Sequence, residues 1–554
     1  MVHFASRVEL GINSDCSKDL CKISKNPIMD WEVEKIKNKL PLLIAQVEPP
    51  QDGDGGDYFY RTLTPGIAMA QKKDVFVVNV TNVHRKKDHI MREADVLVLK
   101  NICDPDMLPL IRERKLQKKL TVYEIADDLS ALQPWNPVYS FYKNKENLSL
   151  VFRLAGCCDA LQVTVHELKR LYGHLNKHCK VFPNQILHVP PENILKKSNE
   201  VVIGWGGSHG HLEDLLEIAK PLSNWIMSQS NVVLHLMCSD SIWKLFDSLP
   251  PHKKRHTPPG SIEEYYNFLT KIHIGIAPLK NTAFNRSRSD VKFLEYAVSG
   301  VVPVLAHMEP YLNSAINGKT GFLYKDSKVL IDILGRLIEN ASLSQKVAES
   351  ARQYVMKERC QLKYAEDRID FYLELLKSMN TGKHRNGRSV QRFKEWGKLD
   401  GAVTKKKHLR LLSTRFENFL HDGLVSMQLT GNRKKAYQFF QKAMMMEPRN
   451  YLPFLFGSLV FENPVDSLIK AIELKPDSLK AWILLGEEWT RRGDIIKALR
   501  SFESALNVYQ DYDIPYLRAA DLLNKIGKKT EADSLFEKAK KLEILYPSAP
   551  ELLN

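Results

Sequence analysis

A chain of 554 residues with 44% apolar and 26% charged side chains holds enough hydrophobic material for three or four cores, which excludes a disordered polymer. Its formal charge of +15 would suit a polyanion, but no helix-turn-helix, zinc-finger or aromatic RNA-binding signature accompanies it, so no nucleic-acid partner is expected. With no run of 18 apolar residues and no leader-like start, a cytoplasmic protein is expected, and eight scattered cysteines without a C-x-x-C pair point to reduced thiols.

Residues 1–39 form an N-terminal extension without a readable pattern. From there, short β-rich runs alternate with amphipathic stretches: LPLLIAQV, DVFVVNV, DVLVLK, LTVYEIA, ALQVTV and KVFPN, then VVIGW, VVLHLMC, IHIGIAP, VVPVLA and GFLYK. This alternation predicts parallel sheets with crossover helices. The proline-bearing FPNQILHVPPENILKKSNE interrupts it and predicts a hinge between two doubly wound domains, residues 40–190 and 200–360. In such sheets ligands bind beyond the carboxyl ends of the strands.

Two glycine-rich loops follow predicted strands there. In QVEPPQDGDGGDYFYR, Gly53, Gly55 and Gly56 permit a tight turn before a helix starting over Tyr58 to Arg61. In IGWGGSHGHLEDL, Gly204, Gly206, Gly207 and Ser208 lead to a helix entered near His211. Backbone N–H groups at a helix start suit a phosphate, although many strand-to-helix turns use glycine for geometry alone. The second loop nearly matches G-x-G-x-x-G, but its last position is His209 and position 224, where a ribose-binding acid would stand, is Asn224. A nicotinamide dehydrogenase is thereby disfavoured. His209 and His211 have no further ligand nearby, so no metal is expected. Asp127 and Asp128, after LTVYEIA, either cap a turn or border an acceptor site.

The stretch IHIGIAPLKNTAFNRSRSDVKFLEYAVSGVVPV predicts strand, basic loop, helix and strand. Lys280, Arg286, Arg288 and Lys292 crowd a helix start that already favours anions. A bound diphosphate explains that cluster, and Glu295, one turn beyond Lys292, could accept hydrogen bonds from a ribose.

Carried on by SDVKFLEYAVSGVVPVLAHMEPYLNSAINGKTGFLY, with GWGGSHGHLEDL, FPN and the Tyr60-Arg61 pair before Pro65, the segment 40–375 resembles glycosyltransferases of the family 4 type, with a GT-B fold of two facing Rossmann-like domains. The resemblance implies retaining, metal-independent transfer of a sugar from a nucleotide diphosphate sugar, with no cofactor beyond that donor. It implies a polysaccharide or lipid-linked glycan acceptor, to which the C-terminal repeats add a protein acceptor. On this chain it assigns Lys292 and Arg288 to the catalytic diphosphate contacts and Glu295 to the ribose. Gly206, Gly207 and Ser208 fall on the phosphate-side loop, and the first glycine loop and the basic cluster themselves add Gly55, Gly56 and Lys280 as expected substrate contacts. Ser287 stands where the family usually has the first glutamate of E-x7-E, facing the transferred sugar. Helix 361–380 resembles the family's crossover back to the first domain.

A basic linker, 381–415, follows, with eleven Lys and Arg against two acids from Lys383; peripheral contact with an anionic membrane surface is expected of it. Beyond it Gly493, Ala498, Phe502 and Ala505 recur 34 residues later as Gly527, Ala532, Phe536 and Ala539. This resembles tetratricopeptide repeats over 416–554, an all-α solenoid with a surface for a partner protein or, alternatively, a structural arm. Gly423, Gly431, Ala436, Phe440 and Ala443 keep the same phase, and the 62 residues from Gly431 to Gly493 predict a trimmed unit between. The expectation is a glycosyltransferase, against the alternative of a non-catalytic nucleotide-sugar-binding scaffold working through the repeats.

Overall fold

The computed structural model describes residues 42–49, 55–72, 74–187, 189–190, 200–379, 415–428 and 430–545. The N-terminal extension, Gly53 and the basic linker before residue 415 lie outside the described residues.

Six strands, β1 (Leu42–Glu48), β2 (Val75–Thr81), β3 (Val96–Lys100), β4 (Leu120–Ile125), β5 (Ala160–Val163) and β6 (Cys179–Val181), form a parallel sheet in the order β2-β1-β3-β4-β5-β6. A second parallel sheet, β12-β11-β10-β7-β8-β9, uses β7 (Val201–Gly206), β8 (Val232–Met237), β9 (Lys254–Thr257), β10 (Ile274–Ala277), β11 (Val302–Ala306) and β12 (Phe322–Tyr324). Every residue of β1 and β8 is buried, because helices cover both faces, and that is why these strands read as continuous apolar runs. The strand missing from the expectation is β9, whose sequence KRHT lies on an exposed edge; an edge strand is blunted by charge and has no apolar signature to read.

Each sheet reverses its winding once, between β1 and β3 and between β7 and β10. The connections leaving those strands diverge to opposite faces and open a crevice at the carboxyl edge. The two crevices face each other, which is the GT-B arrangement. Helix Gln361–Met379 then returns to the first domain, where Ala365, Ile369, Tyr372 and Leu376 complete the core against Leu42, Ile44, Val77 and Val96. The hinge is pinned by Arg359. Its guanidinium makes two bonds to Asp290 (2.6 and 3.1 Å), one to the Asn184 carbonyl (2.8 Å) and one to Gln185 (3.0 Å).

Among the described residues eight helices follow, paired as Arg415–Gln428 with Arg433–Met446, Leu452–Gly457 with Pro464–Leu474, Leu479–Arg491 with Ile495–Val508, and Asp513–Lys525 with Lys529–Leu545. The second pair is the trimmed one. Gly431, Gly493 and Gly527 share a positive φ of 63 to 80°, so the recurring turn needs a residue tolerant of the left-handed region. A Cβ at Gly486 would lie 2.5 Å from the Phe502 ring, and one at Gly423 would lie equally close to Phe440; the helices of a pair touch where one side is bare.

This helical region is not a detached arm. Leu479, Ile483, Tyr509 and Tyr512 belong to the hydrophobic cluster of the first sheet's helices, and Val83 inserts into the solenoid's own cluster. Asp106 accepts from the Ser478 hydroxyl (2.9 Å) and the Lys480 amide (2.8 Å), capping helix Leu479–Arg491, while Arg153 pairs with Asp513 (2.7 Å) and Arg518 with Glu146 (2.6 Å). Residues 82–88 and 101–106, which follow β2 and β3, take part in this docking, so the solenoid covers the same carboxyl edge of the sheet that borders the cleft.

Candidate active site

Three segments converge on the cleft. After β1, helix Gly56–Tyr58 passes into a π-helical turn, Phe59–Leu63, and then into helix Thr64–Ala70, with Pro65 in its first turn. The wide turn sends neighbouring side chains in different directions. Arg61 goes into its own domain, donating to Glu124 (2.6 Å), the Phe182 carbonyl (2.6 Å) and Asn184 (3.0 Å). Tyr60 crosses to the second domain.

After β7, Gly207 and Ser208 lie on the cleft wall and a short 3-10 turn, His209–His211, opens helix Leu212–Ser228. His211 bonds Asp214 through Nδ1 (2.8 Å), and the other oxygen of Asp214 accepts from the Lys280 amide (2.8 Å) and Asn285 (2.7 Å). One carboxylate thereby ties the glycine loop to the basic loop after β10.

The third segment is helix Val291–Val298. Lys292 and Glu295 are one turn apart and paired at 3.0 Å, but this is no solvated surface pair: Glu295 is 4% exposed. Lys292 Nζ also bonds the Tyr265 hydroxyl (2.8 Å) and lies 4.4 Å above its ring. Glu295 Oε1 accepts from Tyr60 (3.0 Å) and Oε2 from Tyr265 (2.9 Å). Arg288 stands over the Phe284 ring at 5.2 Å and has no carboxylate partner within ion-pair distance among the described residues. An uncompensated guanidinium on a cleft wall is a site for an anion.

Together these segments line a cavity of about 460 Å³ between the domains, within the range of small-ligand sites. Of the residues expected to act, Gly55, Gly56, Gly207, Ser208, Arg288, Lys292 and Glu295 all lie on its wall. Gly206 does not. It ends β7, where a Cβ would meet the Tyr265 ring at 2.7 Å, so its bareness serves packing. Lys280 turns outward to Glu213 (3.4 Å) and meets the site only through its amide. Ser287, expected to face the sugar, is buried with its hydroxyl donating to the Phe284 carbonyl (2.8 Å), which turns it away from the cleft. Asp127 and Asp128 part company. Asp128 caps Ser130 and accepts from Tyr172, whereas Asp127 lines the cleft.

The two halves differ in charge. The second domain presents Arg288 and Lys292 with Glu295, and the first presents Asp57 and Asp127 with Arg61, which is itself paired to Glu124. Asp57 is answered by Lys100 (2.7 Å), which also holds Glu48 (2.9 Å). Burial pushes the Glu48 carboxyl up to about 7, with Lys100 opposing. Burial and the nearby Asp57 raise Asp127, and Arg288 across the cleft draws it back. Tyr60, Tyr265 and His211 also line the cleft, although none of them is among the expected site residues. His211 carried a signal in its i, i+3 spacing to Asp214; Tyr60 stood out only as half of the Tyr60-Arg61 pair, with nothing to mark it as a partner of Glu295.

Burial, and then Arg288, lower the His211 imidazole to about 4 against the pull of Asp214. It is therefore neutral at pH 7, with Nδ1–H donating to Asp214. The unfolded chain takes up this proton near pH 6.5 and the native one only near 4, so stability falls as pH drops through that window, by up to about 1.4 kcal/mol per unit. Urea titrations at pH 7 and pH 5 should show a smaller loss for His211→Asn than for the wild type. Equal losses would mean His211 contributes nothing to the pH dependence.

Two doubly wound domains with a cleft at their facing carboxyl edges define the chain as a two-domain GT-B protein carrying a helical solenoid. No protein-family model matches it, and no curated protein does. Solved structures similar to it include TarM, at 11% identity over 50% of this chain and 54% of that one with a TM-score of 0.39, so the chain spans about half of TarM. Anabaena HepE in complex with UDP is similar at 14% identity over 60% of this chain and 100% of that one, TM-score 0.43. Sucrose-phosphate synthase from Thermosynechococcus elongatus is similar at 10% identity over 61% and 100%, TM-score 0.44. Likenesses of this size concern shape at most.

Proposed function

We propose that the chain is a retaining glycosyltransferase that moves a sugar from a nucleotide diphosphate sugar to a glycan, lipid-linked glycan or protein hydroxyl. The observation that carries this reading is the placement of Arg288 and Lys292 on one wall of the interdomain cleft, beside the Gly207-Ser208 loop and opposite the carboxylates of the first domain. The diphosphate lies against the two cations and the loop amides, with the ribose on Glu295. As the bond from the sugar's anomeric carbon to the phosphate oxygen breaks, the two cations stabilise the charge gathering on the phosphate. The acceptor oxygen attacks from the same face and its proton passes to the leaving phosphate. Two cations in this position supply the neutralisation a divalent metal would otherwise provide, so the reaction is written without one.

Asp57 and Asp127 face the acceptor side, which the docked solenoid extends. A partner protein on the solenoid's remaining surface, contact of the basic stretch 381–415 with an anionic membrane surface, and a cytoplasmic location belong to the same proposal. No helix among the described residues is long and apolar enough to cross a membrane. A second reading, a non-catalytic nucleotide-sugar-binding scaffold, is favoured by the turned-away Ser287. The test is a panel of nucleotide sugars scored for thermal stabilisation and for release of the nucleotide. A donor at one hundred times its Kd should add about 2.7 kcal/mol of stability. Stabilisation with release supports the transferase, stabilisation without release under any acceptor supports the scaffold, and no stabilisation by any donor overturns both.

A further inference from the structure

Tyr60 belongs to the first domain by chain position and to the second by its contacts. It is 3% exposed within the second domain's hydrophobic cluster, and its hydroxyl donates to Glu295 Oε1 at 3.0 Å while lying 2.9 Å from the Tyr266 hydroxyl. With the Tyr60 proton committed to the carboxylate, Tyr266 is the donor in the second bond. Both oxygens of Glu295 are thus engaged, Oε1 by Tyr60 and Oε2 by Tyr265 and Lys292. A carboxylate that is to hold a ribose must offer lone pairs to the ligand, and this one is nearly closed to solvent.

The three donors are not equivalent. Tyr265 and Lys292 come from the same domain as Glu295 and stay with it however the domains move. Tyr60 alone arrives from across the cleft, and its hydroxyl sits at the distance an alcohol of the ligand would take. Its neighbour Arg61 is anchored by three bonds in the first domain, so the π-helical turn moves with that domain. Moving Tyr60 off Glu295 therefore strains or shifts the segment that lies beside Asp57 and the acceptor side.

We propose that Tyr60 is a built-in competitor for the donor site: its hydroxyl occupies the ribose position on Glu295, and the nucleotide binds by displacing it. This deepens the assignment of Glu295 to the ribose and rests on that reading. The displaced turn carries donor occupancy to the acceptor half, coupling the two sites. The ligand class it selects is a nucleotide with free ribose hydroxyls.

The test compares wild type, Tyr60→Phe and Tyr266→Phe by calorimetric titration with UDP, GDP and ADP and with the 2′,3′-dideoxy forms of each. Tyr60→Phe keeps the buried ring and loses the competing hydroxyl, so the nucleotide that binds should bind about five- to tenfold tighter. The gain should vanish for its dideoxy form, which does not contest Glu295. Tyr266→Phe, which removes a partner of the Tyr60 hydroxyl without removing the hydroxyl, should show a smaller gain in the same direction. Unchanged or weaker binding by Tyr60→Phe, or an equal gain for dideoxy nucleotides, overturns the competitor while leaving the donor site standing. If no variant binds any nucleotide, the reading of Glu295 falls and this inference with it.

Discussion

Lys292→Ala is expected to lower kcat/KM for sugar transfer at least tenfold, and toward the hundredfold seen when a preorganised charge donor is removed from a reacting oxygen. The effect is electrostatic. Lys292 lies on the wall of a secluded cleft, where its charge is weakly screened, and it is fixed by Tyr265 and Glu295 so that little reorganisation is needed as the phosphate departs. The same substitution leaves Glu295 buried with the Tyr60 and Tyr265 hydroxyls as its donors among the described residues, so some loss of stability accompanies the loss of rate. Lys292→Arg, which keeps the charge and changes the shape, separates the two: it should restore stability more fully than turnover. A kcat/KM unchanged in the alanine variant, once the donor is known, would remove the diphosphate assignment.

The second large effect concerns the hinge. Arg359→Met should destabilise the chain by about 3–5 kcal/mol, because truncating one side of a buried ion pair strands the other charge. Asp290 is 6% exposed and would keep, among the described residues, the Ser314 hydroxyl as its one side-chain donor. The guanidinium also closes the Asn184 carbonyl and the Gln185 side chain, so one substitution opens the crossing between domains. Asp290 directly precedes the helix bearing Lys292 and Glu295, so weaker nucleotide binding should accompany the loss. Denaturant titration reads the first effect and ligand titration the second. Adding Asp290→Asn should recover part of the stability, as expected when two sites share one interaction. A loss below about 1 kcal/mol would show that the hinge is held elsewhere.

What could be read from the chain alone has a common physical character. Strands covered on both faces appear as apolar runs, and so eleven of the twelve strands among the described residues were legible while the charged edge strand β9 was not. The turn glycines at 431, 493 and 527 and the Gly486 to Phe502 packing were visible as a repeat, since each unit solves the same local problem. The Lys292 and Glu295 pair was legible because three residues on a helix meet whatever the fold around them. These are consequences of backbone periodicity and burial, which act over a few residues and are written directly into the order of side chains.

The rest was settled by faces meeting at long range. Tyr60 and Glu295 are 235 residues apart, and Asp106 caps a helix 372 residues away through Ser478. Neither pairing is marked by the residues around it. Asp127 and Asp128 are chemically identical and adjacent, yet one faces the cleft and the other a turn, because the chain's direction as it leaves β4 decides between them. Ser287 held the expected place in the sequence and turned inward. The chain by itself determined two doubly wound domains, a repeated helical region and a cationic helix start. Which side chains share the cleft, and that the solenoid docks on the first domain, was decided only by the packing of whole domains, where many residues of similar character compete for the same contacts and tertiary geometry chooses among them.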